Sequence, residues 1–138
     1  MKRLKKVLPA EQLGIVRVLL IDEDFGSIHT ATSRLRSLGC NVTTSRDVSD
    51  AIAKMRSLTF DLIVCDEAEK ICSPILVQFS TIEPKPLFVV TTKKSALNSQ
   101  FPTGAIGVIP KFFKADSLLE LVSPFKPDNA FVTEAKTK

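Results

Sequence analysis

Four apolar residues, Leu62-Ile63-Val64-Cys65, run without interruption between Asp61 and Asp66. A strand that alternates polar and apolar residues can lie on a surface, but one that is apolar at every position must be covered on both faces. β-Branched Ile63 and Val64 favour the extended form. The run therefore demands a central strand in a sheet with a layer packed on each side, and Asp66 emerges where the strand reaches the sheet edge.

Neighbouring segments supply the layers. Residues 16–21 read as a first strand, 41–44 as a short second, 60–65 as the third, 86–91 as a fourth that is apolar through Leu87-Phe88-Val89-Val90, and 105–109 as a fifth. Between the first two, Ile28, Ala31, Leu35 and Leu38 fall on one helical face, with Gly39 as a stop. Asp47 can cap a second helix with Val48, Ala51, Ile52, Met55 and Leu58 inward. Pro74 and Pro84 limit a third helix to about two to three turns. A short fourth is expected before Pro102, and a last helix over 115–121 turns Leu118, Leu119, Leu121 and Val122 inward. Strands alternating with amphipathic helices imply βαβ units and a parallel, helix-covered sheet.

At 138 residues, 44% of them hydrophobic and 25% charged, the chain has material for one core. Residues 1–14 read as a basic extension, 15–125 as the folded domain and 126–138 as a polar, flexible tail. The net charge of +4 does not mark a nucleic-acid groove: the ends carry the excess, leaving 12 bases and 12 acids between residues 14 and 125. Pro9, Glu11 and Gln12 interrupt the stretch where a signal peptide needs an apolar core. No run has the length of a membrane span. Cys40, Cys65 and Cys72 follow no metal-ligand spacing, and reduced thiols in cytoplasm are the simplest reading.

The polar residues that matter stand at strand ends: Asp22, Glu23 and Asp24 after the first, Asp66 after the third, Thr91 after the fourth and Lys111 after the fifth. Sites in open α/β sheets form outside the carboxyl ends of the strands, where the strand order reverses. If the first and third strands are neighbours, Asp22, Glu23 and Asp66 meet there. Three close carboxylates repel unless a proton or a hard cation compensates them, and Mg2+ suits all-oxygen ligands. A carboxylate can also act as a nucleophile toward phosphorus. Asp24 reads as a cap or surface acid, and His29 as an exposed helix residue.

Five segments in this order resemble the receiver domain of two-component response regulators, over roughly residues 16–123. They are Val18-Leu19-Leu20-Ile21-Asp22-Glu23-Asp24, Asp61 through Asp66, the strand ending at Thr91, the strand after Gly104-Ala105, and the loop from Lys111 to Phe113. The resemblance implies a flavodoxin-like, doubly wound five-stranded parallel sheet of order 2-1-3-4-5 in a three-layer α/β sandwich; the short segment from Asp66 to Thr91 and the prolines depart from the family and give shortened third and fourth helices. It implies a phosphoryl group accepted on Asp66. Mg2+ would be held by Asp22, Glu23, Asp66 and the backbone carbonyl of Ala68, and phosphoryl oxygens contacted by Thr91 and Lys111. The donor would be a sensor histidine kinase or phosphotransfer protein, and the output a conformational shift read by a downstream protein. No DNA-binding domain or membrane span is expected, a homodimer is left open, and the only catalysis implied is of the chain's own phosphorylation and dephosphorylation.

The sequence departs from the family at several points. The acidic pair is Asp-Glu, and Glu67-Ala68-Glu69-Lys70 lacks the usual proline and glycine after the acceptor. Val108 stands at the position of a switch aromatic, and Phe112 replaces a proline whose cis peptide is thereby removed. These changes favour the main alternative, a pseudo-receiver that docks a partner without phosphorylation. A haloacid-dehalogenase-type phosphatase is weaker, since Asp22-Glu23-Asp24 resembles its Asp-x-Asp motif but nothing after Lys111 matches its later acids. A flavodoxin-like nucleotide binder is weaker still, since the loop after the first strand is acidic, with only Gly26, and could not cradle a phosphate as a glycine-rich loop does.

Overall fold

The computed structural model describes residues 9–93 and 101–125, and the expected tail from 126 and most of the expected fourth helix lie outside them. Within these residues the elements run α1 (Pro9–Gln12), β1 (Arg17–Ile21), α2 (Phe25–Ser37), β2 (Asn41–Ser45) and α3 (Val48–Ser57). Then follow β3 (Leu62–Asp66), α4 (Glu69–Phe79), β4 (Leu87–Thr92), β5 (Gly107–Pro110) and α5 (Ala115–Val122), closed by a 3-10 turn over Ser123–Phe125. The five strands form one sheet of order β2-β1-β3-β4-β5, and every pairing is parallel. This is the doubly wound order expected from the sequence. None of the described helices is long and apolar enough to cross a membrane.

Strand alternation divides the core in two. Val18 and Leu20 of β1, Leu62 and Val64 of β3 and Val89 of β4 meet Ile28, Ala31 and Leu35 of α2 and Leu118 and Val122 of α5. On the opposite face Leu19, Ile21, Ile63, Cys65, Phe88 and Val90 meet Ala51 and Met55 of α3 and Ile71, Ile75 and Phe79 of α4. Every residue of β3 is buried, as two-sided covering requires. Phe79 packs edge-on against Phe88 with ring centroids 5.1 Å apart.

The helix ends follow local chemistry. Asp24 caps α2 by accepting from the Ser27 N–H, and Asp47 caps α3 by accepting from the Asp50 N–H. Gly39, just past α2, takes φ 98, a left-handed turn that glycine adopts without steric cost. Leu58 does not face inward as its spacing suggested. α3 stops at Ser57, Leu58 becomes extended at φ −125 and ψ 160, and its side chain is left half exposed.

The fold also reaches further back than residue 15. Ala10 and Leu13 are buried in the α2/α5 side of the core, and the Ala10 N–H donates to the Leu38 carbonyl at 3.1 Å. Residues from Ala10 onward thus cap the lower end of that layer and belong to the domain. The helix after β3 spans 11 residues, about three turns. Only Glu67 and Ala68 separate Asp66 from α4.

Candidate functional site

Parallel strands put all carboxyl ends on one edge, and the register there decides which side chains meet. Ile21 pairs with Cys65 and Asp66 pairs with Thr91, so Asp22 follows β1 beside the end of β3. Asp22, Asp66 and Thr91 continue the alternation of Leu20, Val64 and Val89, and all three are buried. Lys111 follows β5 and reaches back across β4. Its Nζ lies 2.5 Å from Asp66 Oδ1 and 2.9 Å from Asp22 Oδ2, with the Lys111 side chain only 7% exposed.

Each carboxylate has a second partner. Asp66 Oδ2 accepts from the Ala68 N–H at 3.1 Å, and Asp22 Oδ1 accepts from the Asp24 N–H at 2.9 Å. Burial alone would lower the Lys111 pKa, but its bonds to Asp66 and Asp22 outweigh that and hold it above the ordinary lysine value. The ammonium thus stays charged and offsets part of the negative charge of the acidic pair.

The other expected residues are placed differently. Glu23 is exposed and its Oε2 lies 3.3 Å from Lys70 Nζ, on the second residue of α4. The Ala68 carbonyl accepts from the Ile71 and Cys72 N–H groups at 2.9 and 2.8 Å, because α4 starts at once and Ala68 is its N-cap. Thr91 lines a small space between sheet and α2 with Ser27, Ala31 and Phe113, while an open depression of about 280 Å³ is lined by Asp22, Glu23, Asp66, Ala68 and Lys111. Asp24 is a helix cap, its carboxyl held below the usual range by the Ser27 hydroxyl and N–H, and His29 is exposed.

Among the described residues no three His, Cys, Asp or Glu side chains converge as a ready metal site. The donor chemistry nonetheless suits Mg2+, which is commonly held by one or two carboxylates and keeps its waters. Asp22 and Asp66 would supply that pair, since each carboxylate oxygen retains lone-pair capacity beside the bond it already accepts. Glu23 and the Ala68 carbonyl are engaged elsewhere.

Three contacts had no signal in the sequence. Glu67 Oε2 accepts from the hydroxyl of buried Thr92 at 2.6 Å, tying the residue after Asp66 to the end of β4. Lys70 pairs with Glu23, as above. Arg34 of α2 donates to the carbonyls of Phe112 and Phe113 beyond Lys111. The Lys111–Phe112 bond is not among the cis peptides; Phe112 instead takes φ 62.

No protein-family model and no curated protein matches the chain. Solved structures do share its fold. A response regulator from Thermotoga maritima is 23% identical, with a TM-score of 0.67 over 82% of this chain and 98% of that one. A response regulator receiver domain protein from Clostridium thermocellum is 16% identical, with a TM-score of 0.68 over 86% and 100%. The chemotaxis response regulator CheY4 of Vibrio cholerae is 21% identical, with a TM-score of 0.62 over 80% and 98%. The chain has the CheY-like fold of response regulator receiver domains, and it spans nearly the whole length of these three.

Proposed function

We propose that this chain is a receiver domain that accepts a phosphoryl group on Asp66 and signals by a change of surface to a partner protein. The observation that carries the reading is the Lys111 ammonium between Asp66 and Asp22, on a receiver-type fold with Thr91 in register beside Asp66. An acid, a lysine and a hydroxyl at three strand ends match the needs of phosphoryl transfer, in which positioning and positive charge on the transferred oxygens dominate.

In the reaction a carboxylate oxygen of Asp66 attacks the phosphorus of a phosphohistidine or a small acyl phosphate. The P–O bond of the acyl phosphate forms as the bond to the donor breaks, and the imidazole or carboxylate donor leaves with the electron pair. The Ala68 N–H holds the carboxylate from one side, and Lys111 exchanges part of its pairing with Asp66 for a phosphoryl oxygen. Mg2+ bound by Asp22 and Asp66 would supply further positive charge to the phosphoryl group. Thr91 turns from its inner space toward the new oxygens, which biases the surface around β4 and β5. The donor is a sensor histidine kinase or phosphotransfer protein, and the chain catalyses no reaction but its own modification and its reversal.

Intact mass after incubation with acetyl phosphate and Mg2+ tests this. One added phosphoryl group is expected, dependent on Mg2+ and absent in Asp66→Asn. A second reading, a docking module without phosphorylation, draws on the Ala68 carbonyl being taken by α4. No phosphoryl gain together with no Mg2+ binding by calorimetry would establish that reading instead.

A further inference from the structure

Lys111 is placed by a loop whose conformation is unusual. Phe112, next in the chain, has φ 62, a left-handed backbone that bulky side chains avoid and that persists only where the surroundings hold it. Its own side chain is 55% exposed, so packing of that ring does not account for the conformation. The flanks are pinned: the Lys111 N–H donates to the Thr92 carbonyl at 2.7 Å, and Phe113 is buried against the α2/α5 core. Between these anchors the carbonyls of Phe112 and Phe113 both face one guanidinium nitrogen, Arg34 Nη1, at 2.6 and 2.5 Å. Arg34 comes from α2, 77 residues earlier than Lys111, and charged donors make the stronger class of hydrogen bond.

We propose that Arg34 is the positioning residue for Lys111: it holds the loop after β5 in the conformation that inserts the ammonium between Asp22 and Asp66. The inference rests on the proposed phosphoacceptor role only for its consequence, since the position of Lys111 can be read without any phosphorylation. Arg34 is also one of two bases in the last turns of α2, where positive charge favours the helix end. That rival role predicts a general loss of helix stability and no selective effect at Lys111.

The test is the rate at which each lysine of the full chain is acylated by an N-hydroxysuccinimide ester, read by peptide mass spectrometry. In the wild type Lys111 should react slowly beside Lys54 and Lys85, because its side chain is 7% exposed against 32% and 40% for theirs. In Arg34→Ala the Lys111 rate should rise roughly tenfold relative to those two lysines, the change expected from losing a charged hydrogen bond. Arg34→Lys, which keeps the charge and a donor, should restore much of the protection. Arg34→Met, which keeps a long stem without a donor, serves if the alanine variant folds poorly. A folded Arg34→Ala or Arg34→Met protein in which Lys111 reacts no faster relative to Lys54 and Lys85 overturns the proposal. If the wild type takes up phosphate from acetyl phosphate, the alanine variant should do so more slowly. If the wild type takes up none, the labelling ratio still decides the role of Arg34.

Discussion

Lys111 Nζ lies 2.5 Å from Asp66 Oδ1, and the same ammonium reaches Asp22 Oδ2 at 2.9 Å. One cation therefore joins the ends of two neighbouring strands from a third. Removing it leaves two buried carboxylates facing each other. Lys111→Met should lower unfolding stability by about 3 kcal/mol, read from urea midpoints near neutral pH. Because the folded pKa of Lys111 is raised above the ordinary 10.5, the pairing contributes fully below that pH and is lost as pH rises through the folded value. Equal midpoints for wild type and variant at pH 7 would show that the pair is not structural.

The bond from Thr92 Oγ1 to Glu67 Oε2 holds a second negative charge beside Asp66. Thr92→Val leaves that half-buried carboxylate without this donor and should cost about 2 kcal/mol. Glu67→Gln keeps an acceptor while removing the charge, and so should speed phosphoryl uptake from acetyl phosphate, an anion, by roughly threefold. Slower uptake in the glutamine variant would mean that the Glu67 charge assists the transfer.

Asp61 sits at the opposite end of β3 and accepts from the Val16 and Arg17 N–H groups and from the Arg17 guanidinium. Burial pushes its pKa up, but these donors outweigh it and hold the carboxyl below the ordinary 3.8. A depressed folded pKa adds stability above the unfolded value, and that stability disappears as pH falls through the folded one. Wild type should therefore exceed Asp61→Asn in stability at pH 6, and the gap should shrink below pH 3.8. A gap that is constant across the titration would remove the ionised carboxylate from the account.

Ala10 and Leu13 are buried in the core of the domain. Leu13→Ala should destabilise by about 2–3 kcal/mol, as a large-to-small change in a core does. A solvated extension would tolerate it with no measurable shift in thermal midpoint.

What the sequence by itself determined is the frame: five apolar strand runs, the helices between them, and polar residues at the strand ends. Those signals are local, since a continuous apolar run and a 3.6-residue periodicity are readable in a short window. The Asp24 and Asp47 caps were legible for the same reason. Tertiary structure decided which polar atoms meet. The resemblance assigned Glu23 and the Ala68 carbonyl to Mg2+, but no local pattern showed that Glu23 pairs with Lys70 or that the Ala68 carbonyl accepts from the Ile71 and Cys72 N–H groups. The sequence left residues up to 14 outside the domain, where Ala10 and Leu13 are in the core. It had no means of joining Arg34 to Phe112 and Phe113, because a side chain and two carbonyls so far apart in the chain share no local pattern. Only assembly of the sheet and the packing of α2 against α5, with Phe113 in the core they share, bring them within hydrogen-bonding distance.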